Sequence, residues 1–197
     1  MNKIYFSLFK ICSLIICFIT SSCCNEDLTA AYKLSENAKS IVPFIDYKEL
    51  NYINELGQSS IASTQPRILE TKTEKPGPDS CQYYEYETLR NFINFENPGF
   101  SVQIEMSSNF GKEFFGLSYL EVENESSVES FNLENYTIAM DDFQQARKDT
   151  TIIDFQFNDV YIFSNEENRV IKTIVYSSSG RGIEFVEFVD GSFLKLE

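Results

Sequence analysis

Phe100-Ser101-Val102-Gln103-Ile104-Glu105-Met106 is the stretch that decides the fold class. Apolar and polar residues alternate through all seven positions. Side chains of a strand point to opposite faces in turn, so Phe100, Val102, Ile104 and Met106 share one face. Ser101, Gln103 and Glu105 share the other. One face suits a core and the other suits water, the pattern of an antiparallel strand with a wet side. Asn97-Pro98-Gly99, just before it, is a turn signal.

The same grammar extends in both directions. Upstream, residues 81–95 are rich in strand formers: Tyr83, Tyr84, Tyr86, Thr88, Phe92, Ile93 and Phe95. Pro76-Gly77-Pro78-Asp79 precedes them as the clearest turn in the chain. Downstream, residues 114–122 read as a strand bent at Gly116, and residues 141–148 as one or two helical turns. Thr151, Ile153, Phe155 and Phe157 alternate as a single strand that resumes beyond Asn158-Asp159. Residues 165–168 form a turn, residues 170–176 are rich in β-branched residues, and residues 177–182 form a loop. Residues 183–189 and 193–196 flank the tight-turn dipeptide Asp190-Gly191. Nowhere in residues 80–196 is there a strand–helix–strand unit of about 30 residues, so parallel crossovers are not expected. The sequence predicts a mainly β chain: an antiparallel meander folding over itself into a sandwich or partly open barrel.

The first residues carry a different message. Lys3 and Lys10 precede the apolar run 11–19, then the small residues Thr20, Ser21 and Ser22, then Cys23. Charge, apolar stretch, small residues and a cut is the order of a secretory signal. Nine helical residues rise about 13 Å, far short of the roughly 30 Å of a bilayer core. With Cys after the small residues, the segment resembles the signal of bacterial lipoproteins, although Thr20 stands where an aliphatic residue is usual. The resemblance implies cleavage after Ser22 and lipidation of Cys23. It divides the chain into a signal (1–22), a lipidated tether (23–40) and one strand-rich domain (41–197). Two or more acyl chains hold a protein stably where one holds it only marginally.

Glu26 and Asp27, soon after that cysteine, resemble the export signal of surface lipoproteins in Bacteroidota. This favours the outer membrane's outer face over its periplasmic leaflet. The ending of the chain, from Tyr176 through Gly182-Ile183 to Asp190-Gly191 and Phe193, is similar to that of small outer-membrane lipoproteins of the same group, with Phe193 where Trp is frequent. Asp149-Thr150-Thr151 resembles the O-glycosylation site of such organisms, with Thr150 as acceptor. An extracytoplasmic compartment permits a Cys24–Cys81 disulfide. The alternative is two free thiols.

Composition removes several chemistries. The chain has 16 Lys and Arg against 30 Asp and Glu, a formal net charge of −14. Losing Lys3 and Lys10 takes the mature chain to about −16. Nucleic acid is excluded as a partner by that charge. Eighteen Phe and eleven Tyr supply a core that disordered chains lack. With no His, imidazole catalysis and zinc sites built on Cys and His are out of reach. Gly180-Arg181-Gly182 is too short for a phosphate loop and reads as a hairpin turn. Glu121, Glu123 and Glu125 share parity and form a candidate Ca2+ ladder or a solvated strand end. Tyr83, Tyr84 and Tyr86 form a candidate sugar-stacking surface or, at strand spacing, core and edge filling.

No catalytic residue, cofactor or metal site is therefore expected. The expected function is that of a membrane-anchored, non-catalytic structural or binding module whose partners are the membrane, through its lipid, and a protein or glycan. The alternative is an immunity- or inhibitor-type lipoprotein covering a basic toxin or enzyme, since opposite charge speeds such capture.

Overall fold

The computed structural model describes residues 26–78, 80–121, 130–131, 138–139, 145–164, 170–177 and 179–197. The elements are β1 (Asp27–Tyr32), α1 (Glu36–Ile41), β2 (Glu49–Asn54), β3 (Ser59–Thr64), β4 (Ile68–Glu74), β5 (Gln82–Phe95), β6 (Phe100–Asn109) and β7 (Lys112–Glu121). Two short pieces, β8 (Ser130–Phe131) and β9 (Ile138–Ala139), follow. The chain ends with β10 (Lys148–Ile152), β11 (Phe155–Ser164), β12 (Ile171–Ser177), β13 (Ile183–Phe188) and β14 (Phe193–Leu196).

All strands join one sheet in the order β10-β11-β12-β13-β14-β2-β3-β5-β6-β7-β8. β1 and β4 are added along the first half of β5, and β9 along β7. The path is two meanders, β2 to β8 and β10 to β14, joined where Leu194, Lys195 and Leu196 of β14 pair with Asn54, Ile53 and Tyr52 of β2. Among the described residues its two ends, β10 and β8, do not pair with each other, so the sheet is not closed. The stretch 100–106 supplies the first seven pairs of the longest ladder. β6 pairs residue for residue with β7 from Phe100↔Glu121 to Asn109↔Lys112, and its burial alternates along its length.

The sheet rolls because its apolar face must be covered, and aromatic contacts show what covers it. Phe115 of β7 meets Phe163 of β11 and Tyr176 of β12, at ring-centre distances of 5.7 and 5.2 Å. Phe100 of β6 meets Phe188 of β13 at 5.6 Å. The main core thus lies between the two halves of one sheet. A smaller cluster, Phe157, Val160, Val175, Phe185 and Phe193, occupies the opposite face of the β11–β14 meander. The β10–β11 hairpin contributes Ile152 and Phe155 to that cluster. This explains why Ile174, Val175 and Tyr176 follow one another without a polar break: from Thr173 onward β12 is buried on both faces.

Two buried hydroxyls tie these layers together. Tyr52 donates to the carbonyl of Ile183 at 2.7 Å, and Tyr176 donates to the carbonyl of Ile41 at 2.5 Å. Gly182 sits at φ +81°, and a Cβ there would stand 2.9 Å from the Phe44 ring, so the loop before β13 needs glycine twice over.

Three expectations are corrected. First, the folded body begins at Asp27, not at residue 41. β1 pairs with β5 from Asp27↔Gln82 to Tyr32↔Tyr86. α1 is capped by Ser35, whose hydroxyl accepts from the amide of Ala38, and it buries Ala38 and Ile41. Glu113 binds both the amide and the hydroxyl of Ser35, Glu87 accepts from the amide of Leu34, and Arg67 donates to the carbonyls of Lys39 and Val42 at the other end of α1. Second, the meander gains one parallel strand from outside residues 80–196: β1 runs parallel to β5. The intervening chain of α1 and three strands is long enough for the crossover. Third, residues 151–157 are two strands: the chain turns at Ile153 (φ 46°) and Asp154 (φ 64°), with Ile152 opposite Phe155. Both turn residues are left-handed, as a type I′ hairpin requires. β7 pairs straight through Gly116 without a register shift, so no bulge interrupts the strand there. The helical turns expected at 141–148 lie partly outside the described residues; Lys148 itself opens β10.

Antiparallel alternation gives the body two distinct ends. β1 and β5 start at one of them, called the N-terminal end below. The β6–β7 tip, the β10–β11 tip and the segment between β12 and β13 also lie there. The β2–β3, β5–β6 and β13–β14 turns lie at the other, the far end. β5, at 14 residues, runs between the ends and measures about 45 Å at full extension.

Candidate functional site

The far end holds a groove of about 590 Å3. It is lined by the three turns and the strand ends beside them: Glu55, Pro98, Gly99, Phe100, Tyr119, Val170 and residues 188–190 and 192. Local chemistry fixes each turn. Asn54 accepts through its side-chain oxygen from the amides of Leu56 and Gln58, at 3.0 and 2.8 Å, which closes the β2–β3 turn below Glu55. The β5–β6 turn contains the cis Asn97–Pro98 bond, and Ser60 donates to the Asn97 carbonyl at 2.7 Å. The β13–β14 turn is closed by Phe188 N–H to the Ser192 carbonyl at 2.9 Å, with Gly191 at φ +89°.

The floor is aromatic. Phe100 stacks on Phe95 at 4.3 Å and packs against Tyr119 and Phe188 at 5.5 and 5.6 Å. The rim is acidic. The three turns carry Glu55, Glu96 and Asp190 and no Lys or Arg. Glu55 accepts from the Phe193 amide at 3.3 Å, which steadies its carboxylate beside Asp190's turn. The Ser192 hydroxyl and amide donate to Asp190 Oδ1 at 2.7 and 2.9 Å, and these bonds hold that carboxyl below the usual carboxylate range. These rings are themselves buried, so they underlie the groove as an apolar floor without presenting open faces, and the carboxylates at its rim favour a cationic group.

A shallower hollow of about 360 Å3 lies at the N-terminal end. Phe44, Lys48, Glu49, Arg181 and Glu197 are among its lining residues. Its charges are mixed, and Lys48 Nζ lies 5.8 Å from the centre of the Phe44 ring.

The residues singled out from sequence fall as follows. Ser22, Cys23 and Cys24 lie outside the described residues, as do Glu123 and Glu125 of the acidic ladder. Glu26 is ion-paired to Lys75 at 2.5 Å, and the Asp27 amide donates to the Cys81 carbonyl at 2.9 Å, so both acids are fastened to the body. Cys81 is disulfide-bonded. The chain's other cysteines, Cys12, Cys17, Cys23 and Cys24, all lie outside the described residues. Thr150 is half-buried on the edge strand β10, opposite Phe157. Tyr84 is 8% exposed and packs on Phe110 and Tyr32, and Tyr83 and Tyr86 are half-buried, so the three act as strand filling. Among the described residues no group of three or more His, Cys, Asp or Glu is placed to hold a metal ion, and no helix is long and apolar enough to cross a membrane.

No family model, curated protein or solved structure matches this chain. The groove residues were legible one by one as turn formers. Their convergence depends on β14 pairing with β2, which local patterning does not encode.

Proposed function

We propose that this chain is a lipid-anchored, non-catalytic binding module of the outer membrane, with Cys23 as the lipidated residue and the cell surface as its side. The observation that carries the binding role is the placing of the groove. It opens at the far end of β5, while the chain enters the body at the near end, beside Cys81. A ligand site is thereby held a strand's length away from the anchor. The lack of His and the aromatic, acid-rimmed groove support recognition over catalysis. Cys24 is the proposed partner of Cys81. The bond from Asp27 to Cys81 brings it within three residues, and a disulfide needs Cα atoms within about 7 Å.

Glu55 and Asp190 on the rim favour a second reading, an immunity- or inhibitor-type module whose partner presents a basic loop. Opposite charge would steer that encounter and make it salt-dependent.

The anchor is tested by Cys23→Ala. The variant is expected in the soluble fraction with an unlipidated mass; its retention in the membrane after signal removal would sink the proposal. The groove is tested by capture from envelope extract at two salt concentrations with the wild type and a Glu55→Lys/Asp190→Lys variant. A ligand held by the first and released by the second supports the groove, and undiminished capture by the variant refutes it.

A further inference from the structure

Of the ten large apolar side chains exposed among the described residues, five lie at the N-terminal end, two at the far end, and three, Ile61, Ile68 and Leu69, along β3 and β4. Phe110 at the β6–β7 tip is 61% exposed, Ile153 at the β10–β11 tip 43%, Ile45 and Tyr47 in the segment before β2 61% and 59%, and Leu28 in β1 48%. The far end exposes Leu56 and Val189, one on each of two groove turns.

Two of the five sit where the backbone opposes them. Phe110 has φ 48° and Ile153 has φ 46°, the left-handed region that type I′ turns require and that Asn and Gly fill at least cost. A β-branched residue there is a genuine outlier. Each tip therefore keeps an exposed apolar side chain at a conformational cost, Phe110 with one part of its ring against Tyr84 and Tyr32, although a polar residue would fit the turn better. Strain of this kind persists where the side chain is used.

The chain itself indicates what covers this end. Residues 1–25 join the body here, with Glu26 paired to Lys75 and Asp27 bonded to Cys81. From Cys23 to Asp27 is four residues, a reach of about 14 Å at full extension. An acyl group on Cys23 would hold this end within that distance of the lipid.

We infer that the N-terminal end is a seat on the phospholipid interface, with the Phe110 and Ile153 tips entering the headgroup and upper acyl region. The seat rests on the lipid-anchor reading and adds to it an orientation: the body stands with the groove turned outward. Lipid headgroups that are zwitterionic suit it, because the chain's net charge is −14 and anionic lipid would repel it.

The chain has no Trp, so a single introduced indole reports its own surroundings without background. Phe110→Trp, Ile153→Trp and Leu56→Trp are made in the full-length lipidated protein. Each is reconstituted into vesicles of phosphatidylethanolamine and phosphatidylcholine bearing brominated acyl chains. The first two are expected to emit at shorter wavelength and to be quenched at least threefold more than Leu56→Trp. Equal quenching at the three positions, with the protein floating with the vesicles, overturns the seat and leaves the anchor standing. Protein that stays out of the vesicles overturns both. A blue shift that follows protein concentration and ignores bromine shows self-association and also overturns the seat. Should Phe110→Trp misfold by circular dichroism, Ile153→Trp and Tyr47→Trp carry the same comparison.

Discussion

Ile153 shows how a single backbone angle can hide a turn. A β-branched side chain between Ile152 and Asp154 reads as strand, and no Gly or Asn marks a break. The structure puts the chain reversal there, at φ 46° and 64°. Left-handed backbone costs an ordinary residue about 1–2 kcal/mol, and Asn tolerates it far better. Since Ile153 is largely exposed, little packing is lost on replacement. Ile153→Asn is expected to raise unfolding stability by about 1 kcal/mol, read as a higher denaturant midpoint at constant slope. An unchanged or lower midpoint would show that the tip is not strained. Phe110 gives a less clean test, because its ring also packs on Tyr84 and Tyr32 at 4.8 and 6.1 Å.

At the scale of elements, the strands from β5 to β7 and from β11 to β14 were legible because alternation and turn dipeptides coincide. Asn97-Pro98-Gly99 and Asp190-Gly191 lie where the sequence predicts turns. The segment 27–42 was not legible. Its strand offers Leu28, Ala30 and Ala31, too little apolar pattern to announce itself, and it is held by the exposed backbone edge of β5. α1 is only six residues long, below what an isolated helix sustains, so its stability comes from its partners. Arg67 is the partner at its C-terminal end. Arg67→Ala should leave those carbonyls without a charged donor and cost about 1–2 kcal/mol. Hydrogen exchange is the measurement: amides of residues 38–41 should lose protection while those of β6 keep theirs. Equal loss in both would mean the arginine supports the whole body and not the helix end.

For the whole molecule, the two buried tyrosines set a limit on alkaline stability. Burial pushes the phenols of Tyr52 and Tyr176 far above their ordinary value. The folded state keeps both protons where the unfolded chain would release them, so the unfolded state binds fewer protons above about pH 10. Stability is therefore full below that pH and falls as pH rises beyond it. Absorbance at 295 nm should show a group of tyrosines titrating early and a late step that coincides with loss of strand signal by circular dichroism. Tyr52→Phe/Tyr176→Phe should shrink that late step, and an undiminished step would show that other phenols are responsible. The mainly β class, an antiparallel meander folding into a sandwich or partly open barrel, was readable from the pattern of residues 80–196. The two-ended arrangement, with groove opposite entry point, was not, because it depends on which strands meet across the seam.

That seam has a kinetic meaning. β14 supplies the only ladder between the two meanders among the described residues, through Leu194, Lys195 and Leu196, and its partners Tyr52, Ile53 and Asn54 lie some 140 residues earlier. Contacts of such long range require loop closure before any reward, so they form late and slowly. Until residues 194–196 are in place, each meander exposes an unpaired edge, the kind that templates association between chains. A chain emerging N-terminus first thus holds its first half-sheet with an open edge until the second has been made, and the turn at Asp190 meets the turns at Glu55 and Pro98 only when the last strand arrives.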